Sequence, residues 1–180
     1  HEVTSLPQAI LILGFKTIRS LVLSVSTRSL YKNFGITEQI LWDHSVGAGI
    51  AAKMISAGFG SEIMELSFVG GLMHDLGKVV MNNETPDEFA EVMMKIYNED
   101  IDSITAEIEK YGYTHAEIGS GVVEKWGFAP LLVDILKYHH LNNVKLSEFK
   151  DPAVAKAVAI ANLADNVCKV LAIGYRNPAD

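Results

Sequence analysis

Apolar residues recur at intervals of three and four along nearly the whole chain, and the alternating runs that a half-buried strand needs are scarce. That pattern commits the chain to helices, each with one apolar face to bury. Turn and cap residues divide them. Thr4 or Ser5 can cap a first helix with Pro7 in its first turn, and Gly14 can end it. Phe15 to about Asn33 reads as a second helix, which Gly35 breaks; Thr37 begins a third that runs to about Gly58. Ser61 caps a fourth, through about Val80, and Asn82 to Pro86 reads as a loop. Helices over about Asp87–Asn98 and Asp102–Tyr111 follow, then one capped by Thr114 that runs to Trp126. Pro130 starts the next, ending near His140; residues 141–151 are a polar loop, and a last helix runs from about Pro152 to Ile173. The expectation is an all-α, bundle-like domain of about nine helices.

The chain's 180 residues suit a single domain with a sizeable core. With 15 Lys and Arg against 22 Asp and Glu, the net charge is −7, and no basic cluster stands out. A nucleic-acid face needs a basic stripe to meet phosphates, and an anionic membrane needs the same, so neither partner is expected. No apolar stretch approaches the roughly 20 residues that span a bilayer; Ala9 to Leu13 is typical of the longest. No signal peptide is visible. The lone Cys168 has no partner for an internal disulfide and fits a reducing cytoplasm. His1-Glu2-Val3 leads almost directly into a helix, so part of the N-terminal helical portion of the fold is expected to lie outside this sequence.

The chemistry emerges when polar residues are placed on these helices. The third helix has an inward stripe of Ile40, His44, Gly47/Ala48, Ala51 and Ile55. After Thr114 the stripe is His115, Ile118/Gly119, Val122 and Trp126. After Pro130 it is Leu132, Ile135/Leu136 and His139, with His140 beside it. The last helix presents Val154, Val158, Ala161, Asp165, Cys168 and Ala172, an aspartate in an otherwise apolar face. His74-Asp75 is embedded in Gly71-Leu72-Met73-His74-Asp75-Leu76-Gly77-Lys78.

One histidine on such a face is ordinarily a core group hydrogen-bonded to backbone. Here, of six histidines, His1 is terminal and the other five all fall on inward faces. A buried carboxylate costs several kcal/mol unless paired or bound to metal. No Arg or Lys sits on the Asp165 stripe, and Lys78 is the only cation near Asp75 in sequence. A purely structural polar core and a metal cluster both remain open; one ion that satisfies several costly groups at once favours the cluster. Imidazole with carboxylate suits Fe, Mn, Zn, Ni or Co.

The doublet in Gly71–Lys78 resembles the signature of the HD-domain metal-dependent phosphohydrolases, as does the order of upstream His44, doublet and late helical Asp165. His115 and His139-His140 are similar to the added histidines of the dinuclear HD branch that includes the HD-GYP phosphodiesterases. A closer resemblance is to the HDOD family, HD-related output domains of bacterial signalling proteins. It is carried by Ser5-Leu6-Pro7-Gln8-Ala9-Ile10 with Leu13-Gly14, Trp42-Asp43-His44-Ser45, Gly70–Lys78, His115-Ala116-Glu117-Ile118-Gly119 and Trp126…Pro130…His139-His140.

The resemblance implies an HD-like multi-helical bundle with two metals. One would take His44, His74, Asp75 and Asp165; the other His115, His139 and His140, with Asp75 bridging. Two ions can activate a bridging water for phosphoryl displacement, so Asp75 and Lys78 become the catalytic candidates, Lys78 as a stabiliser of phosphate charge or simply an ion-pair partner of Asp75. Iron is the favoured metal, with Mn or Zn as alternatives. The histidine pair is followed by Leu141-Asn142-Asn143-Val144, without the glutamate and Gly-Tyr-Pro stretch of HD-GYP enzymes, which argues against cyclic di-GMP hydrolysis. Ile40 stands where some relatives carry an acidic residue, which argues against a third metal. Two functions are thus expected: a cytoplasmic signalling output module that binds metal and a nucleotide, another phosphate-containing molecule or a partner protein, or an active metal-dependent phosphohydrolase.

Overall fold

The computed structural model describes residues 6–13, 15–141 and 145–174. Among these the chain is all-helical, with no strand, and no helix is long and apolar enough to cross a membrane. The proposed caps at Thr4 and Ser5, the stop at Gly14 and the loop residues 142–144 lie outside the described residues. The helices are α1 (Leu6–Leu13), α2 (Phe15–Arg28), α3 (Ile36–Ile55), α4 (Ser61–Met73), α5 (Leu76–Glu84), α6 (Pro86–Glu99), α7 (Ser103–Tyr111), α8 (His115–Lys125), α9 (Pro130–Tyr138) and α10 (Pro152–Val170), with a 3-10 turn at Leu146–Glu148.

α3 lies against α4 and α10, α5 against α8, and α8 against α9; α10 also meets α4 and α9. The main core joins Phe68, Leu72 and Met73 of α4 to Leu76, Val123, Leu132 and Leu136. A second cluster seats Ile135 among Val154, Ala157, Val158 and Ala161 of α10. Buried alanines on α3 (Ala48, Ala52) and α10 (Ala157, Ala161, Ala164) let these helices approach closely. α6 is attached through Phe89 and Val92, its only fully buried apolar side chains, worth roughly 3–6 kcal/mol together.

The single long helix expected from Ser61 to Val80 is two helices that part at the doublet. Asp75 leaves the helical region (φ −94°, ψ 14°) and becomes the N-cap of α5. On one continuous helix, adjacent residues diverge by about 100°, so His74 and Asp75 could not both face one point. α5 continues through Glu84, which shortens the expected Asn82–Pro86 loop to Thr85. The cap before α4 is Gly60 at φ 90°, not Ser61. α2 stops at Arg28 and α10 at Val170, short of the expected Asn33 and Ile173. The buried face of α3 runs Leu41, His44, Ser45, Ala48, Gly49 and Ala52, so Ile40, Ala51 and Ile55 sit at its margin. Trp126 and Ala172, expected inside, are exposed, because α8 ends at Lys125 and α10 at Val170 and the helical stripe does not extend past either end.

Gly77 explains part of the doublet's setting. A Cβ there would stand 1.9 Å from the carbonyl oxygen of His115, since α5 and α8 touch backbone to backbone. Gly77→Ala is expected to cost about 3 kcal/mol or more by urea unfolding, because both overlapping atoms belong to helices that cannot yield locally.

Candidate metal centre

Two helices end on histidines, for the same reason. His74 follows Met73, the last residue of α4, and its Nδ1 lies 2.7 Å from the Gly71 carbonyl. His139 follows Tyr138, the last residue of α9, and its Nδ1 lies 2.7 Å from the Leu136 carbonyl. Both carbonyls belong to the last turn of a helix, where no intrahelical N–H reaches them. Only Nδ1–H can serve a carbonyl, so both rings are assigned this tautomer and turn Nε2 the other way. His115 opens α8, whose start is fixed by a reciprocal cap: the Glu117 amide donates to Thr114 Oγ1 (3.3 Å) and the Thr114 amide donates to the Glu117 carboxylate (2.7 Å). The His115 Nδ1 faces both oxygens of Glu107 at 2.7 Å. His44 directs Nδ1 to the Ile173 carbonyl at 3.1 Å.

The four Nε2 atoms therefore converge. His115 Nε2 lies 3.3 Å from His139 Nε2, 2.9 Å from His140 Nε2 and 3.1 Å from Asp75 Oδ1. His74 Nε2 lies 3.4 Å from Asp75 Oδ2 and 3.8 Å from Asp165 Oδ1. Two groups offer ligand atoms within 4.8 Å of one another: Asp75 with His115, His139 and His140, and Asp75 with His44 and His74. Asp165 stands beside the second, its Oδ1 3.0 Å from His44 Nε2. His74, His115 and His139 are fully buried, and His44, Asp75 and Asp165 nearly so. All five internal histidines point inward, as expected, with His140 half-buried. Asp75 is the residue common to both groups.

This donor set fits a cation. With Nδ1 protonated, the inward nitrogens of His115 and His139 are both lone pairs, so their 3.3 Å approach is no hydrogen bond. His74 Nε2 and Asp75 Oδ1 are buried and make no hydrogen bond of acceptable geometry. Buried orphans of this kind cost about 1–3 kcal/mol each unless something occupies their lone pairs. The titration behaviour agrees. Burial resists a charge on His74, but Asp75 and Asp165 outweigh it and raise its pKa, so the carboxylates draw positive charge inward. Burial, His140 and the other histidines hold His139 well below the usual range; burial and His115 push His140 down to about 2. Both rings are neutral at neutral pH. Burial would raise Asp75, but His74 and Lys78 hold it well below the carboxylate range; burial would raise Asp165 too, but the His44 and His74 rings beside it hold it low. A mixed imidazole and carboxylate set without thiolate suits Fe, Mn or Zn, and such an ion would supply Lewis-acid activation of water or phosphate.

Three partners escaped the sequence reading. Lys169 Nζ lies 2.7 Å from Asp165 Oδ2, so the Asp165 face does have a cation, one turn on, whose long stem reaches back along the helix. The converging lone pairs, more than an unpaired Asp165, therefore carry the metal argument. Glu107 is fully buried and also accepts from the His115 amide at 2.8 Å. It shares a face with Ser103 and Ala106, and an acid on a buried face was the signal that had singled out Asp165. The third is the Ile173 carbonyl, which no side-chain pattern encodes. Lys78 is nearly buried, its Nζ 2.9 Å from Asp75 Oδ2, so the ion pair anticipated for it is present. Beside it, His44, Asp75, Ile40, Met93, Ile96 and Tyr97 help to line a cavity of about 20 Å³, room for about one water molecule.

Comparison with known proteins places the chain in a family. The profile of the HDOD domain matches residues 1–142. An uncharacterised protein of Treponema pallidum (strain Nichols) is 24% identical over 162 residues, 87% of this chain and 30% of its own length. Among solved structures, an HDOD domain protein of unknown function from Geobacter sulfurreducens is 25% identical with a TM-score of 0.83, covering 98% of this chain and 58% of that one. A protein of Shewanella amazonensis SB2B, provisionally named a phosphohydrolase, is 21% identical with a TM-score of 0.74, over 94% and 61% of the two chains. A Marinobacter aquaeolei VT8 protein, provisionally named for signal transduction, is 21% identical with a TM-score of 0.71, over 96% and 39%. The chain thus spans less than a third of the Treponema protein and less than two thirds of each of these solved chains. With its all-helical bundle and the profile matched over most of its length, the chain belongs to the HDOD family.

Proposed function

We propose that this domain is a bacterial signal-transduction output module that holds two transition-metal ions, one at His115, His139 and His140 and one at His44, His74 and Asp165, with Asp75 shared between them. The observation that carries the reading is the convergence of bare imidazole nitrogens on a buried aspartate that both ligand groups use. Iron is the favoured metal, with Mn or Zn as alternatives. The cavity beside His44, Asp75 and Lys78, about 20 Å³, admits water but no phosphoester, which supports a regulatory or ligand-responsive role over turnover in this conformation. The signal-transduction name of the Marinobacter relative accords with that role.

Active phosphohydrolysis is the second reading. It is favoured by Lys78, a buried cation lining the same cavity as Asp75 and His44, where it could face a phosphoryl oxygen, and by the phosphohydrolase name of the Shewanella relative. It requires α6, lightly anchored by Phe89 and Val92, to move aside.

A screen of phosphomonoesters, cyclic nucleotides and dinucleotides on the metal-loaded protein separates the two. The module reading predicts no turnover at full loading; hydrolysis abolished by Asp75→Ala in a folded protein establishes the enzyme instead. Chelation provides a further check. A ligand that binds only the folded state at about 100 times its Kd adds about 2.7 kcal/mol, so stripping metal should lower the melting temperature by roughly 5–10 °C for a chain of this length, and re-addition should restore it.

A further inference from the structure

His44 is held from outside the centre by a backbone atom. Its Nδ1 lies 3.1 Å from the Ile173 carbonyl, and its Nε2 lies 3.0 Å from Asp165 Oδ1. Ile173 belongs to the turn Leu171–Gly174 that follows α10. The turn is itself fixed: the Ile173 amide donates to the Cys168 carbonyl at 2.9 Å and the Ala172 amide to the Lys169 carbonyl at 3.1 Å. Its last residue touches the histidine. Gly174 has φ +71°, and a Cβ on it would stand 2.4–2.6 Å from the backbone N, Cα and Cβ of His44. One turn along α3, a Cβ on Gly47 would meet the Ile173 side chain at 2.5 Å. α3 and the turn are thus in direct contact around His44, on the wall of the small cavity that His44, Asp75 and Gly174 help to line.

We infer that the turn Leu171–Gly174 is a positioning device for His44, acting through the Ile173 carbonyl, and that its order is coupled to metal occupancy of the group His44, His74 and Asp75; the inference rests on the metal reading above. Both ring nitrogens of His44 face acceptor oxygens, and a neutral imidazole has one N–H to give. If the proton sits on Nε2 it serves Asp165 and closes that nitrogen to a cation. If it sits on Nδ1 it serves Ile173 and leaves the Nε2 lone pair directed at the centre. A cation at Nε2 requires the second tautomer, and the carbonyl is placed to receive its Nδ1–H, the role that a carboxylate or carbonyl behind a ligating histidine plays generally. Only glycine at 174 lets the turn come close enough to place it there. Coupling of this kind is reciprocal: whatever orders the turn strengthens metal binding, and metal binding orders the turn by the same factor.

The full chain tests this with Zn2+, which is diamagnetic. Zn2+ is expected to slow amide hydrogen exchange at Ile173 about tenfold or more, and the 15N shifts of His44 in the Zn2+-loaded protein are expected to show Nδ1 protonated. Gly174→Ala is expected to weaken Zn2+ binding 10- to 100-fold and to lose the Nδ1–H signature, whereas Val170→Ala, an exposed change just before the turn, leaves both as they were. Should Gly174→Ala fail to fold, exchange and 15N shifts of the unaltered chain still decide. Full Zn2+ binding with unchanged exchange at 171–174, or a His44 protonated on Nε2, overturns the coupling alone. A chain that binds no Zn2+ overturns the metal reading and the inference with it.

Discussion

Asp75→Ala is expected to reduce metal retention from about two equivalents per chain to below one, and to destabilise the stripped protein by about 3–5 kcal/mol. Both effects follow from its position. Its Oδ1 lies 3.1 Å from His115 Nε2 and 3.9 Å from His139 Nε2, while its Oδ2 lies 3.4 Å from His74 Nε2 and 3.8 Å from His44 Nε2. Among the described residues, no other belongs to both groups of potential ligands. The same Oδ2 accepts from Lys78 at 2.9 Å, where the lysine has only 6% of its surface in water. Removing one member of a buried pair leaves a charge whose hydration was given up on folding. Asp75→Asn keeps the shape and separates the two effects: it should fold more stably than the alanine variant and still lose metal. Elemental analysis with urea unfolding of both variants checks this. Alanine and wild-type proteins with equal metal content would contradict the shared role.

The second large effect is expected at Glu107. Its carboxylate is wholly buried and meets the His115 ring at 2.7 Å and the His115 amide at 2.8 Å. Glu107→Ala strands a ring N–H and a backbone N–H in the core, for an expected loss of about 3–5 kcal/mol. For a chain of this size that is about 10 °C in melting temperature. Metal affinity should fall 10- to 100-fold, because nothing then fixes the His115 tautomer. Glu107→Gln still offers an oxygen to one of the two donors and should lose about half as much stability. Calorimetry together with metal titration distinguishes this from a simple core defect, which would lower the melting temperature without changing affinity in the folded protein.

Both residues mark how far the sequence could be read. Helical periodicity located nearly every helix, and the cap at Thr114 proved correct, since its side chain accepts from the Glu117 amide; Asp102, read as the start of a helix, is the N-cap of α7. Placing every internal histidine inward followed from the same periodicity, because a three- and four-residue stripe is a direct image of the buried face. The break at His74-Asp75 was not legible. Its apolar neighbours continue the pattern through Val80, and only the tertiary centre requires two adjacent side chains to converge. Lys169 was missed because the stripe was read by residue position, whereas a lysine's charge lies several bonds from its Cα. Glu107 was legible in principle, as an acid on the buried face of α7, but its partner lies across the Gly112–Thr114 turn, and no pattern within one helix reveals that. Backbone partners such as the Ile173 carbonyl leave no trace in side-chain chemistry at all.

The central claim is that the converging nitrogens and carboxylates exist to hold metal. Elemental analysis of the purified protein, combined with anomalous scattering from its crystals, measures that directly. About two transition-metal equivalents per chain are predicted, with one anomalous peak among Asp75, His115, His139 and His140 and another among His44, His74 and Asp75. Less than about half an equivalent in protein purified without chelator, from a ligand set that should hold ions tightly, would contradict it.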